Sequence, residues 1–385
     1  MISLDLILFE ITCVSFFLLA FIAFFNPLKV NAVANKWFSL FLFSVGCALL
    51  NGIIYEDHAE EKYSQLVAFN ELSRFAMAPA LYLSILHFTS PYKIFRKKEF
   101  LHFIPFLLFF IFICTAVILP GAAFLYPNKG TVLSVLLPVL MSLSVKVQVA
   151  AYWILSYFKL SRHQKNIQLV TSDTSPVDLN WLKYLLLGIA FMIALWFNAL
   201  LFKTQTVVIY SSLGYLAGAL FICYFLLAQK EVYPYEKTEL ADINSLINEE
   251  KGKSSAKKRV PDEQLTTLKN ELSHLMDTER LYLDSELGLP QLAKSISLSP
   301  HDLSYLLNEG FGMNFFQFVN TYRIEEAKRL LLSEKHRHLN ILGIAYSSGF
   351  NSKTTFNTAF KRSTGFSPSQ FIQHAKPDAV SAAAY

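Results

Sequence analysis

Seven long apolar stretches in the first 230 residues constrain the fold more than any other feature. A helix that crosses a lipid bilayer needs about 20 apolar residues, and seven stretches reach that length. They lie near Leu6–Phe25, Lys36–Tyr55, Leu66–Phe88, Phe100–Leu119, Val132–Phe158, Trp181–Phe202 and Val207–Ala228. Within lipid, such segments satisfy their backbone groups as helices. The sequence therefore predicts an all-α protein whose residues 1–230 form a seven-helix transmembrane bundle. The first helix is expected to be retained, because Asp5 and Glu10 stand where a signal peptide carries basic residues.

Loop charges predict the orientation of this bundle. One set of alternate loops carries Lys29, then Lys93 with Arg96–Lys98, then Lys159–Lys165. The other set is acidic after the second stretch and nearly uncharged afterwards. Basic loops stay in the cytoplasm. We therefore expect a multi-pass membrane protein, with its N-terminus outside and its C-terminal region in the cytoplasm.

Polar residues inside the apolar stretches form a candidate site. They are Glu71, Arg74, His87, Lys146, Gln148 and Asn198. Ionisable groups at membrane depth are costly and usually face the bundle interior. Glu71 and Arg74 are three residues apart, a spacing that favours an ion pair on one helix face. Two interpretations stay open: a network that binds or senses a signal, or polar contacts that lock helix packing.

The chain after residue 230 changes character. Residues 231–262 are polar and include the basic tract Lys251–Arg259, which predicts a flexible linker. Apolar residues at helical spacing then predict an amphipathic helix over Asp262–Arg280, which either docks on the following domain or pairs with a second chain. Residues 377–385 are predicted to be a disordered tail. No catalytic motif, metal-ligand cluster or glycine-rich phosphate loop is recognisable, so neither an enzyme nor a cofactor is predicted.

An internal repeat organises residues 263–376. Ala293-x-x-x-Ser297 returns as Ala345-x-x-x-Gly349, fifty-two residues later. Five further positions have a similar or identical residue fifty-three positions later: Leu303, Gly312, Asn314, Gln317 and Phe318 correspond to Phe356, Gly365, Ser367, Gln370 and Phe371. Each copy predicts a short helix, a tight turn, a second helix and a capped third helix. The repeat therefore predicts a cytoplasmic, all-helical domain with two helix-turn-helix motifs.

The second helix of each motif supplies the candidate DNA-binding residues, because the N-terminal residues of such a helix enter the major groove. In the first copy, helices are predicted over Leu289–Ser297 and Ser299–Glu309, with Ser299 as N-cap. In the second, they are predicted over Ile341–Ser348 and from Asn351 or Ser352 to Arg362. One long helix over Phe315–Leu332 is expected to separate the copies by about one turn of DNA. The exposed candidates are His301, Asp302, Ser304, Tyr305 and Asn308 in the first copy, and Ser352, Lys353, Thr354, Thr355, Asn357, Thr358, Lys361 and Arg362 in the second.

Charge distinguishes the two copies. From Lys335 to Lys376 there are six basic residues and no acidic one. The whole region after Lys230 is nearly neutral, with 18 basic and 19 acidic residues. Phosphate contacts need a local basic surface. The second copy is therefore expected to supply most of the phosphate contacts.

These residues resemble the DNA-binding domain of the AraC/XylS family of bacterial transcription regulators. The matching segments are Tyr322–Leu331, Ala345–Phe350, Phe356–Arg362 and Gly365–Phe371. Together with the apolar half, they are similar to the membrane-anchored branch of that family. The resemblance implies binding of double-stranded promoter DNA, contact with RNA polymerase and a homodimer, and it implies that the predicted spans lie in the bacterial inner membrane. The soluble β-barrel sensor of common members has no counterpart in the sequence, so a sugar-type effector is not implied.

The leading hypothesis is a membrane-bound one-component transcription regulator. Its transmembrane half would contact lipid and sense an unidentified effector. The alternative is a transporter-like or receptor-like membrane protein whose C-terminal helical domain is a protein-interaction module. The acid-free stretch Lys335–Lys376 favours the first hypothesis.

Overall fold

The structure is a computed structural model that describes residues 4–91, 96–118, 132–202, 206–235, 237–249 and 262–375. Within these ranges the chain is helical and contains no β-strand, as the apolar stretches and the repeat predict. The basic tract Lys251–Arg259 and the tail 377–385 lie outside the described residues.

Seven α-helices lie in the described part of the first 230 residues. They are α1 (Leu4–Phe25), α2 (Ala32–Glu56), α3 (Ser64–Phe88), α4 (Ile104–Ile118), α5 (Val132–Asn166), α6 (Asn180–Phe202) and α7 (Thr206–Leu227). Each overlaps one predicted stretch, although α4 begins four residues later than predicted and α5 ends eight residues later. Among the described residues, three helical segments are long and apolar enough by composition to cross a membrane: Leu6–Phe25, Ala32–Glu56 and Val139–Leu169. Asn180–Ala194 and Leu213–Leu227 are shorter apolar helices.

Eight helices follow in the rest of the described chain. They are α8 (Lys237–Glu249), α9 (Asp262–Glu279), α10 (Leu289–Ser295), α11 (Pro300–Tyr305), α12 (Phe315–Leu332), α13 (Ile341–Ser347), α14 (Lys353–Thr364) and α15 (Pro368–Ala375). Helix α12 has the predicted bounds. Helix α9 begins as predicted and ends one residue earlier.

The chain divides into two compact units whose boundary differs from the predicted one. The first unit comprises residues 1–161 and 179–232, and the second comprises residues 162–178 and 233–385. Residues 162–178 comprise the last turn of α5 and most of the segment between α5 and α6, and they belong to the second unit although the predicted domain 1–230 includes them. Residues 237–249, inside the predicted flexible linker 231–262, instead form α8. Its Ile243, Leu246 and Ile247 are buried at helical spacing, which explains why this polar segment is ordered.

Two apolar cores hold the second unit together. The first lies under the first copy of the repeat and includes Leu272, Leu292 and Leu303. The second lies under the second copy and includes Ile344, Phe356 and Phe360. Helix α12 contributes residues to both cores, so one rigid helix supports both motifs. Each fully buried side chain of this size contributes about 1.5–3 kcal/mol.

Candidate nucleic-acid interface

The internal repeat is visible in the backbone. Ser297 and Gly349, the matched turn positions, both have positive φ angles, 56° and 91°. Gly312 and Gly365, the matched glycines that precede the third helix of each copy, also have positive φ angles, 66° and 80°. Matched residues therefore have matched conformations, and the repeat comprises two copies of one motif.

The third helix of each copy is capped in the same way. In the first copy, Asn314 Oδ1 accepts a bond from the Gln317 amide at 2.9 Å, and Gln317 Oε1 accepts one from the Asn314 amide at 3.0 Å. In the second, Ser367 and Gln370 make the same reciprocal pair at 3.3 and 2.9 Å. This is the capping box, which satisfies two free backbone donors at a helix start.

The second helix of the first copy, which is its candidate recognition helix, is short. Helix α11 covers six residues and continues as a π-helical turn over Leu306–Gly310. Ser299 is the N-cap as predicted, because its Oγ accepts a bond from the Asp302 amide at 3.2 Å. The same Oγ donates to Asp302 Oδ2 at 2.7 Å, so the Asp302 carboxylate already has a partner within the motif.

The remaining candidates of the first copy lie on the surface of α11 and its extension. Ser304 and Tyr305 are half-buried, and Asn308 is exposed. His301 is half-buried, and its Nε2 pairs with Ser245 Oγ of α8. The structure thus places a residue of α8 against one of the candidate DNA-contacting side chains.

The second copy has a longer and more basic recognition helix. Helix α14 runs for 12 residues from the N-cap Ser352, whose Oγ accepts a bond from the Thr355 amide at 3.4 Å. Ser352 therefore has a capping role. The exposed candidate residues of α14 are Lys353, Thr354, Thr358, Lys361 and Arg362. Thr355 and Asn357 are half-buried.

Thr355 has a partner outside the motif. Its Oγ1 donates to Asp173 Oδ1 at 3.4 Å. Asp173 lies in the segment between α5 and α6 and is 5% exposed. A carboxylate therefore stands at the N-terminal turn of the more basic recognition helix.

Sequence reasoning missed the residue that joins these elements, Arg323 of α12. Arg323 is fully buried. Its Nε donates to the Tyr282 carbonyl at 2.8 Å, and its Nη2 donates to the Asp284 carbonyl at 2.7 Å and to Ser172 Oγ at 2.9 Å. Burial lowers the pKa of Arg323 to about 10, with Asp173 and Asp284 acting in the opposite direction, so the guanidinium stays charged near neutral pH. Arg323 stands among the apolar positions of α12, and this placement was the sequence signal that could have identified it as a buried residue.

A glycine makes room for this arrangement. A Cβ at Gly349 would collide with the Tyr282 carbonyl oxygen and lie 3.1 Å from Arg323 Nε. With φ at 91°, the position also disfavours any residue with a side chain. The turn of the second motif therefore packs directly on the carbonyl that accepts the bond from Arg323.

A second charged group lies one turn further along α12. Glu326 Oε1 is 2.6 Å from Arg280 Nη2 and 2.8 Å from Arg329 Nη2. The hydrogen bond from Arg329 lowers the pKa of Glu326, and that from Arg280 adds to this effect against an opposing contribution from burial. The pair ties the end of α9 to α12.

The polar candidates of the apolar half are partly brought together. Glu71 Oε1 is 3.1 Å from Arg74 Nη2, as predicted, and also accepts a bond from Asn51 Nδ2 at 3.0 Å. His87 instead pairs with Glu99, which sequence reasoning missed, at 2.8 Å. Gln148 Nε2 donates to the Phe75 carbonyl at 3.2 Å. Lys146 lies on α5; the side chain of Asn198 lies outside the described residues.

Comparison with known proteins places the similarity in the second unit. Residues 292–374 match the family model HTH_18, a helix-turn-helix domain. An uncharacterized HTH-type transcriptional regulator of Staphylococcus aureus (strain COL) is 31% identical over 102 residues, which are 26% of this chain and 13% of that protein. The arabinose operon regulatory protein of Escherichia coli (strain K12) is 32% identical over 88 residues, 23% of this chain and 29% of that protein.

A solved structure is also similar to part of this chain. It is the C-terminal domain of the two-component response regulator yesN from Fusobacterium nucleatum, which is 30% identical, with 28% of this chain and 98% of that one covered and a TM-score of 0.25. The chain spans 13% of the length of the first curated relative and 29% of the second. The match to the family model identifies residues 292–374 as a helix-turn-helix domain, and the two curated relatives are regulators of transcription by their names.

Proposed function

We propose that the chain is a membrane-bound one-component transcription regulator that binds promoter DNA through both helix-turn-helix motifs. The observation that carries this proposal is the pair of matched motifs supported by one helix, α12. Two recognition helices on one rigid support suit DNA, because successive major-groove segments on one face lie about one helical turn apart.

The side chains of α14 support the choice of DNA as partner. Thr354, Asn357 and Thr358 carry groups that hydrogen-bond base edges, and Lys353, Lys361 and Arg362 carry charges that contact phosphates. The first motif has no exposed basic residue among its candidates, so we assign it mainly to base contacts. The relative affinity contributed by each motif stays a prediction.

Membrane attachment rests on the helices of the first unit. Seven described helices overlap the seven predicted spans, and three helical segments are long and apolar enough to cross a membrane; both observations support the attachment. Residues 162–178 pack within the helix-turn-helix unit, which agrees with the assignment of their basic loop to the cytoplasmic side. We propose the Glu71–Arg74–Asn51 cluster as part of the sensor. Contact with RNA polymerase and dimerisation are carried over from the family resemblance alone.

DNA binding is testable with the full chain in detergent micelles. Genomic DNA fragments that the protein retains would be sequenced, and the recovered duplex would be labelled for titration. Lys353→Ala should weaken binding to all duplexes and reduce the salt slope by about one. Asn357→Ala should relax the preference at a single base position, at a cost of about 1–3 kcal/mol.

Lys328→Ala is the matched control, because Lys328 is paired with Glu325 at 2.6 Å on α12 and is not a candidate contact. Equal salt slopes for Lys353→Ala and Lys328→Ala would contradict the assignment of α14. Failure of the wild type to prefer any genomic sequence over random DNA would favour a protein-interaction module.

A further inference from the structure

The segment between α5 and α6 is built into the helix-turn-helix unit by backbone bonds. The Leu289 amide at the start of α10 donates to the Val170 carbonyl at 2.8 Å. The Ser172 amide donates to the Leu287 carbonyl at 3.4 Å, and Ser172 Oγ donates to the same carbonyl at 2.7 Å. Val170 and Ser172 are fully buried. We call residues 170–175 the docking loop.

Helix α12 holds this docking loop from the other side. Arg323 Nη2 donates to Ser172 Oγ at 2.9 Å, and Arg323 Nη1 donates to the Ser172 carbonyl at 3.3 Å. Asn320 Nδ2 donates to the same carbonyl at 3.3 Å. The docking loop is thus fixed to the helix that supports both motifs.

The docked loop brings an anion to the DNA-reading helix. Asp173 Oδ1 accepts the bond from Thr355 Oγ1, in the first turn of α14, and also a bond from the Ser175 amide at 3.0 Å. The N-terminal turn of a helix favours negative charge. DNA phosphate is the anion that a recognition helix of this charge would otherwise attract. Asp173 therefore satisfies a polar group that DNA would use and adds a charge that repels the phosphate backbone.

The first motif is also contacted by a segment that follows the apolar half. Ser245 of α8 pairs with His301 of α11, and Leu246 of α8 joins the apolar core under this motif. The docking loop lies between α5 and α6 in the chain, and α8 follows α7. In each motif, therefore, one candidate DNA-contacting residue is hydrogen-bonded to a segment that is covalently continuous with the first unit.

From these contacts we propose that the docking loop is an internal competitor of DNA, and that the first unit controls DNA binding by holding or releasing it. The proposal rests on the proposed function. In the docked state, Asp173 occupies Thr355 and opposes phosphate. In the released state, α14 is free to enter the major groove. Because DNA binds the released state better, its apparent affinity falls with the fraction of molecules that are docked. Any signal that moves the ends of α5 and α6 changes that fraction.

The test removes the charge without changing the shape of the side chain. Asp173→Asn would be introduced into the full chain in detergent micelles. Binding would be titrated with a fluorescein-labelled, random-sequence duplex of about 40 base pairs, or roughly four helical turns. We expect Asp173→Asn to bind about fivefold tighter or more, the usual size of coupling between two sites. Glu334→Gln is the control, since Glu334 is 80% exposed, and its affinity should match the wild type.

A second measurement uses the wild-type chain alone, so it does not depend on the folding of a variant. Hydrogen exchange of peptides that cover residues 170–175 would be compared with and without the same duplex. DNA should speed exchange at the Ser172 amide, because its bond to Leu287 is lost on release. Unchanged or slower exchange would overturn the proposal, as would equal affinities of Asp173→Asn and wild type. If no form binds the duplex even at low salt, the proposed function fails and this inference fails with it.

Discussion

Replacing Arg323 with lysine should destabilise the second unit strongly although the charge is retained. Arg323 makes five hydrogen bonds, to the carbonyls of Tyr282, Asp284 and Ser172, to Ser172 Oγ, and at 3.5 Å to Asn320 Oδ1. Arginine can do this because its planar guanidinium has five donors in a fixed fork, whereas a lysine ammonium has three donors on one atom. At least two of the five acceptors would therefore lose their partner.

The magnitude follows from the burial of these acceptors. A buried polar group left without a partner costs about 1–3 kcal/mol. Two such losses at one site are not fully additive. We therefore expect Arg323→Lys to lower the free energy of unfolding of the second unit by roughly 2–4 kcal/mol. That is a large part of the total stability of a typical domain, about 5–15 kcal/mol.

The assay must report on the second unit alone. All four tryptophans (Trp37, Trp153, Trp181 and Trp196) lie in the first unit, so tryptophan fluorescence would follow the wrong part of the chain. Native-state hydrogen exchange of the full chain in detergent gives opening free energies for the amides of α12 directly.

Arg337→Lys is the matched control, because Arg337 is 65% exposed and pairs only with an exposed glutamate in the described structure. Its effect should stay within about 0.5 kcal/mol. An Arg323→Lys protein whose α12 opening free energy lies within that same range would refute the reasoning.

Two further changes test the surroundings of Arg323. Gly349→Ala should destabilise the second unit by about 2–4 kcal/mol, because its Cβ would collide with the Tyr282 carbonyl oxygen. Gly365→Ala should cost only about 1 kcal/mol, since it has a similar φ of 80° and open space; equal losses of Tm would contradict the collision. Glu326→Gln should cost about 1–2 kcal/mol near neutral pH. Arg329 and Arg280 lower the pKa of Glu326 in the folded state. The stability that the Glu326 carboxylate contributes is therefore fully present above about pH 4.3 and is lost as the pH falls through the lowered pKa. If Glu326→Gln and the wild type still differed in stability at acid pH, the assignment of this stability to the Glu326 carboxylate would be wrong.

The helix-turn-helix unit was predictable where the signal is local. Turn glycines, N-caps and capping boxes each depend on a few neighbouring residues, and the repeat shows each of them twice. Ser299 accordingly is the predicted N-cap, and Asn314 caps the third helix, which the repeat predicts to be capped. Helix α10 was predicted two residues too long. The predicted helix Ser299–Glu309 is covered by α11 and its continuation, but the π-helical form of Leu306–Gly310 was not predicted.

The parts that sequence reasoning missed depend on contacts between distant residues. Ser172 and Arg323 are 151 positions apart, and no local pattern links them. Helix α8 did carry a signal, since Ile243, Leu246 and Ile247 recur at helical spacing, but the polar composition of residues 231–262 obscured it. The His87–Glu99 pair was missed because Glu99 lies before the apolar stretch that defines α4.

The state of Arg323 bears on what could release the docking loop. Because burial lowers the pKa of Arg323 in the folded state, its charged form costs the folded protein some stability. Deprotonation removes this cost only as the pH rises through about 10. Near neutral pH, Arg323 is charged in both the folded and the unfolded chain, so its titration contributes no pH dependence there. Its bonds to Ser172 persist across that range. Release of the loop by displacement of its two ends, which continue into α5 and α6, would therefore need no change in the charge of Arg323 near neutral pH.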